Sequence, residues 1–263
     1  MFGRPTRLSR IVCQTLATLI ALPFAVPLVA LVAMSFQGQG AVANYTAVIT
    51  QSPFLRFLVN TVVFAAGTIV IVYVCTMLAG YAFSKLDFRG RGLLFGAILV
   101  GLILPAIALI VPLFTIYARL KLFNNYVAIM VPLAAVLIPL TLLLAKNYID
   151  GIPDEIIEAA RIDGATSFGA LFRIVIPLSR PITAVVVVWA FLNAWNEFFL
   201  PLLFLQDESL QVLTQVPTYF TNTYGSDVPK IFASLVLISL PVVIAYLCLQ
   251  RYFERGLSAG AIK

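Results

Sequence analysis

Six apolar runs of about twenty residues or more, separated by short polar gaps, constrain this chain more than any motif in it. A helix crosses the hydrocarbon core of a bilayer with about 20 mostly apolar residues at about 1.5 Å of rise each. The runs fall at about 11–34, 57–80, 93–117, 126–146, 182–205 and 229–250. The gaps leave no room for an appended soluble domain. Charged residues make up only 11% of the chain, against about 25% where a surface must face water. Lipid is therefore the solvent, and the expected class is an all-α polytopic membrane protein with six transmembrane helices. Of the 17 Lys and Arg residues, 13 fall on one side of the alternating spans, among them Arg4, Arg7, Lys85, Arg89, Lys146, Arg161 and Arg255. Arg56, Arg119, Lys121 and Lys230 fall on the other. By the positive-inside rule both termini are expected in the cytoplasm, and an even number of spans requires the same. Residues 1–10 then form a cytoplasmic N-terminus, 11–250 the membrane domain and 251–263 a cytoplasmic tail. Arg4, Arg7 and Arg10 also precede a signal peptide's apolar core in sequence style. The first run is longer than the roughly 7–15 residues of such a core, so it is read as a span.

Several function classes drop out on residue content. There is no histidine, which removes His-based triads, zinc-protease helices and the usual proton shuttle. Cys13, Cys75 and Cys248 lie in apolar stretches without C-x-x-C spacing and read as small buried hydrophobes, with no metal site expected. No basic stripe marks a nucleic-acid surface. Pro23, Pro27, Pro105, Pro112, Pro132, Pro139, Pro201 and Pro241 fall inside spans, where each removes a helix hydrogen bond and favours a bend.

The longest gap on the basic side, about 147–181, is built as more than a connector. From Pro153 it reads PDEIIEAARIDGATSFGALFRIVIPLSRP. Proline suits the start of a helix, and Asp154, Glu155 and Glu158 favour its positive end. Gly164 is placed to end that helix in the left-handed region. Thr166 or Ser167 caps a second short helix, carrying Phe168, Leu171 and Phe172, that is expected to stop before Pro177. Two readings of this pair of helices stand. One is an amphipathic hairpin lying on lipid. The other is a docking knob for a soluble partner, which the acidic residues favour because they would be repelled by an anionic leaflet.

Glu158-Ala159-Ala160, Gly164, Ile174 and Pro177 resemble the EAA loop of bacterial ABC importer permeases, with spacing E-A-A-x3-G-x9-I-x-L-P and Ile176 standing for its Leu. The resemblance covers nearly the whole chain and is to the carbohydrate-uptake subgroup, similar to the second permease subunit of maltose-type transporters. Further family-like segments are SPFLRFLVNT from Ser52, AGYAFSKLDFRGRG from Ala79, NAWNEFFLPLLFL from Asn193 and QRYFERGLSAGAIK from Gln250. It implies a type I importer permease fold in a bacterial or archaeal inner membrane, with residues 153–177 as a cytoplasmic coupling helix. By position, Glu158, Ala159, Ala160, Asp163, Gly164, Ile174 and Pro177 would form the contact with a separate ATP-hydrolysing subunit. The implied partners are two such ATPases, a second permease (a hetero-dimer), an extracytoplasmic solute-binding protein and membrane lipid. The resemblance also implies that residues 256–263 reach towards the ATPases.

None of the five lysines is followed by Ser or Thr, so the chain lacks the phosphate-cradling G-x-x-x-x-G-K-[ST] loop. No catalytic site or cofactor is expected in it, with ATP and Mg held by the partner ATPase. Glu197 is the acid placed clearly within a span, and Asn193, Asn196 and Glu197 at i, i+3, i+4 would share a helix face. Such a face suits the hydroxyls of a sugar, or else hydrogen bonds between helices; Asn60 carries the same two readings. A proton-coupled secondary transporter would call for several intramembrane acids or histidines. A membrane enzyme would need a catalytic cluster. The expected function is import of a sugar or sugar-like solute by alternating access, with a non-sugar such as a glycerophosphate compound as the alternative within the family.

Overall fold

The computed structural model describes residues 7–222 and 225–260. Nearly all of them are helical, and the helices follow the apolar runs. In chain order they are α1 (Arg7–Ser35), α2 (Ala41–Gln51), α3 (Phe54–Lys85), α4 (Arg91–Leu102), α5 (Ala106–Leu120) and α6 (Val127–Asp150). There follow α7 (Asp154–Ile162), α8 (Ser167–Leu178), α9 (Arg180–Trp195), α10 (Phe199–Phe204) and α11 (Val228–Gly260). A two-residue hairpin pairs β1 (Thr221–Asn222) with β2 (Gly225–Ser226), antiparallel. Among the described residues four helices are long and apolar enough to cross a membrane, six if each bent pair forms one span.

Two of the expected spans are not straight helices. The run at 93–117 is α4 and α5, bent by 96°. The bend falls at Pro105, which has no N–H to give and disfavours the helical region for the residue before it; its own ψ is 124°. The run at 182–205 ends as α9 at Trp195 and resumes as α10 at Phe199. By contrast Pro23 and Pro27 lie inside α1, Pro132 and Pro139 inside α6, and Pro241 inside α11, each of them a continuous helix. Span proline alone therefore did not forecast where the chain breaks. The first gap holds the eleven-residue α2.

The chain divides into two compact units, residues 1–54 with 216–240, and residues 55–215 with 241–263. In the first, the turn after α1 is tied to α2. Asn44, buried, donates both amide hydrogens, to Ser35 O at 2.9 Å and Gln37 O at 2.8 Å. The Ser35 hydroxyl pairs with Tyr45 at 2.9 Å. None of the residues in the most apolar window of α1 is buried by the chain.

The second unit has its core where α3, α6, α8, α9 and α10 meet, around Phe64, Met77, Ile129, Ile149, Leu171 and Phe204. Facing positions on α3 and α6 ascend together. Thr76 and Thr141 share a hydrogen bond of 2.7 Å, Gly80 lies against Ala145, and Ser84 donates to Asp150 at 2.7 Å. The two helices therefore run parallel and end at the same level. Close approach is made by small residues and hydroxyl pairs, which is how helices associate where lipid is as apolar as the side chains. The far ends of the unit are held by Asn124, left-handed at φ 57°, whose Oδ1 accepts from Gln206 N and Asp207 N. Cys13 and Cys75 are exposed on their helices rather than packed inside the chain, which corrects their reading as buried residues: in a span, lipid is the apolar surrounding.

Candidate functional site

Helix α7 starts directly after Pro153 (φ −55°, ψ 136°) with Asp154 and Glu155 in its first turn. It is amphipathic. Ile157 and Ala160 are buried, while Glu155, Glu158, Ala159 and Arg161 are exposed. Of the two motif alanines, then, only Ala159 faces outward with Glu158, and Ala160 packs inward. The helix ends in a Schellman motif. Gly164 takes φ 86°, Ala165 N donates to Ala160 O at 2.8 Å and Gly164 N to Arg161 O at 3.0 Å. Ala160 and Gly164 of the motif are thus the acceptor position and the left-handed position of one cap. Asp163, exposed, is the residue between helix and glycine.

Thr166 caps α8 by accepting from Gly169 N at 3.1 Å. The helix does not stop before Pro177, as its sequence suggested. It widens into a π turn over Leu171–Val175 and carries on through Pro177 to Leu178. A π turn one residue ahead of a proline relieves the clash with the preceding turn, so the helix survives. The break comes instead at Ser179, where α8 and α9 meet at 83°. Ile174 is half-buried against the core and Pro177 is exposed. The outer surface of the pair carries Ile156, Ile162, Phe168 and Phe172 among the acids; Ile162 is 87% exposed.

The root of α7 is anchored by residues whose role sequence reading did not reach. Lys85, at the end of α3, donates to Ile152 O and, at 2.6 Å, to Asp154 Oδ1. Lys146 pairs with Asp150 at 2.7 Å and lies over the Phe95 ring at 5.4 Å. The partners of Lys85 stand some seventy residues away in sequence (about 69 for Asp154), beyond any local pattern.

The expected polar face is split. Asn193 lies in α9 and donates to Trp189 O, and Asn196 donates to Leu192 O, both at 2.8 Å. Side-chain amides bonded to their own helix weaken its continuation, and the helix ends there. Glu197 therefore stands off the helix and does not share its face. Its Oε1 accepts from Leu200 N at 3.0 Å, opening α10. Its side chain also borders a cavity of about 490 Å³ between α5 and α6, lined otherwise by apolar residues such as Ile110, Leu113 and Leu133. Asn60 donates both amide hydrogens to the loop after α10, to Ser209 O and Gln211 O at 2.9 and 2.8 Å. Among the described residues no group of three or more His, Cys, Asp or Glu could hold a metal. Residues 261–263 of the tail, and the side chains of residues 248–260, lie outside the described set.

The profile of the family described as binding-protein-dependent transport system inner membrane component matches residues 73–259. The chain belongs to that family. This permease is 35% identical over 207 residues to the probable ABC transporter permease protein YurM of Bacillus subtilis, covering 79% of its own length and 69% of that relative. It is 33% identical to the arabinooligosaccharides transport system permease protein AraQ of Halalkalibacterium halodurans, covering 78% and 72%. The sulfoquinovosyl glycerol transport system permease protein SmoH of Agrobacterium fabrum is also 33% identical, with 84% and 78% covered. Among solved structures, a chain of a bacterial ABC transporter involved in the import of the acidic polysaccharide alginate superposes with a TM-score of 0.78 at 25% identity, over 96% of the permease and 99% of that chain. The importer-permease fold is the one its sequence motif implied, and the chain is a multi-pass membrane subunit of an ABC importer.

Proposed function

We propose that this permease imports a sugar or sugar-like solute by alternating access, driven by an ATPase subunit that docks on residues 153–177. The exposed apolar and acidic surface of α7 and α8, fixed by the Schellman turn at Gly164, carries the docking half of this reading. Glu158, Ala159, Ile162 and Asp163 face the ATPase; Ala160, Ile174 and Pro177 shape the element from behind. Sugar as solute rests on relatives such as the arabinooligosaccharide permease. The Lys and Arg distribution supports both termini in the cytoplasm. The chain works with a second permease and an outer solute-binding protein. It does no covalent chemistry itself, ATP and Mg being held by the ATPase.

The test is Ile162→Asp in the full complex reconstituted in liposomes, beside Glu158→Ala. An aspartate in a desolvated docking surface costs far more than the leucine-sized contact it replaces. Recovery of the ATPase with the tagged permease, and ATP-driven uptake of a sugar panel, are expected to fall together while membrane insertion is unchanged. Uptake that continues undiminished without ATP refutes the proposal.

A further inference from the structure

We propose that Lys85 is a positioning residue that makes the α7–α8 element move as one body with α3. This rests on the docking role proposed above. The Lys85 side chain is 5% exposed, so its ammonium has given up water and depends on acceptors from the chain. Those acceptors are Ile152 O and Asp154 Oδ1, one on each side of Pro153. They stand at the junction through which α6 continues into α7, next to Gly151. Residues 151–153 are the whole connection between α6 and α7, and any bending of one helix against the other falls there. Bonds from a third helix to Ile152, within that connection, and to Asp154, at the start of α7, tie it to α3.

The Asp154 side chain is 76% exposed, and ion pairs with a partner in water contribute little to stability. What the pair supplies is a direction of linkage. Behind it, Ser84 and Lys146 bind Asp150 and fix the end of α6 to α3. Gly80 against Ala145 and the Thr76–Thr141 bond continue the same attachment into the span. A displacement of α7 is thereby passed to α3 and α6 together and is not absorbed at Gly151–Pro153. Coupling between distant sites needs such a contiguous mechanical element.

The experiment uses the whole complex, purified through a tag on this chain after co-production with its ATPase, second permease and binding protein, and reconstituted in liposomes. Lys85→Met keeps length and removes charge, Lys85→Arg keeps charge, and Asp154→Ala removes the exposed partner. Three quantities are read: ATPase subunit retained, stimulated ATP hydrolysis, and solute taken up per ATP hydrolysed. Lys85→Met is expected to keep the first two within about twofold while uptake per ATP falls about tenfold, and Asp154→Ala, which lies on the docking element itself, to lower the same ratio. The double variant is expected to be no worse than Lys85→Met, and Lys85→Arg to recover most of the ratio. A lysine with a purely structural role would lower ATPase retention and stimulated hydrolysis together and leave uptake per ATP alone; that result, or a ratio unchanged throughout, overturns the proposal. Should Lys85→Met fail to accumulate, Asp154→Ala alone decides. If the unaltered complex neither retains an ATPase nor uses ATP, the docking reading fails, and that outcome needs no Lys85 variant to be seen.

Discussion

Replacing Gly164 separates backbone geometry from side-chain contact, because no atom lies within 4 Å of where its Cβ would sit. Any penalty therefore comes from φ 86°. An L-residue other than Asn or Asp held in the left-handed region costs about 1–2 kcal/mol. Asparagine, which visits that region readily, costs less, and proline with φ near −65° cannot adopt it and loses the Gly164 N to Arg161 O bond as well. The cost is localised in the cap, whose opening exposes the amides of Gly164 and Ala165. A loss of about 1–2 kcal/mol raises the open population about five- to thirtyfold. Hydrogen exchange of a peptide covering residues 159–170 is accordingly expected to be fastest for Gly164→Pro, intermediate for Gly164→Ala and close to native for Gly164→Asn. ATP-driven uptake should fall in the same order if the docking surface needs that turn. Equal protection in Gly164→Ala and native protein, or asparagine exchanging faster than alanine, refutes the geometric reasoning.

Three further outcomes follow from contacts described above or beside them. Thr61→Val leaves Leu213 N, now bonded to Thr61 Oγ1 at 2.8 Å in a buried setting, without an acceptor; a cost of about 1–3 kcal/mol should appear as faster proteolysis of residues 206–215. Thr76→Val breaks the 2.7 Å bond to Thr141, but Thr141 keeps its bond to Leu137 O, so denaturant unfolding in detergent should show a loss of about 0.6 kcal/mol and under about 1.7. Ser209, donating from side chain and backbone, holds the Asp207 carboxyl below its ordinary pKa. The linked ordering of residues 207–209 is thus present above the unfolded carboxylate pKa and lost as pH falls through the folded value. Titration of Asp207 by NMR should give a midpoint below that of an ordinary aspartate, and Ser209→Ala should move it up.

Much of the molecule could be read from composition because lipid imposes a simple rule on it. Each apolar run of the required length became helix, and α7, Gly164 and Thr166 took the roles their residue types dictate. Interruptions were harder. Pro105 breaks its run while Pro132 and Pro139 do not, since a proline's effect depends on whether neighbours re-satisfy the freed carbonyls. Asn193, Asn196 and Glu197 matched a helical face by spacing. The reading failed because the asparagine amides bond the helix's own carbonyls and end it before Glu197. Lys85 counted only as one positive charge in a topology rule; its meaning lies in Ile152 and Asp154, which only the parallel packing of α3 and α6 brings near.

Helix α1 has a consequence for biogenesis. None of its most apolar window is buried by the rest of the chain, so no later helix is needed to make it stable in lipid. It can be released from the insertion machinery alone, on hydropathy, before α3 and α6 have been made. Exchanges among Leu, Val, Ile and Phe along residues 16–29 should then be close to neutral for insertion. A single Lys or Arg near the centre, costing about 2.5–3.5 kcal/mol on insertion scales, would delay or misplace the entire chain that follows.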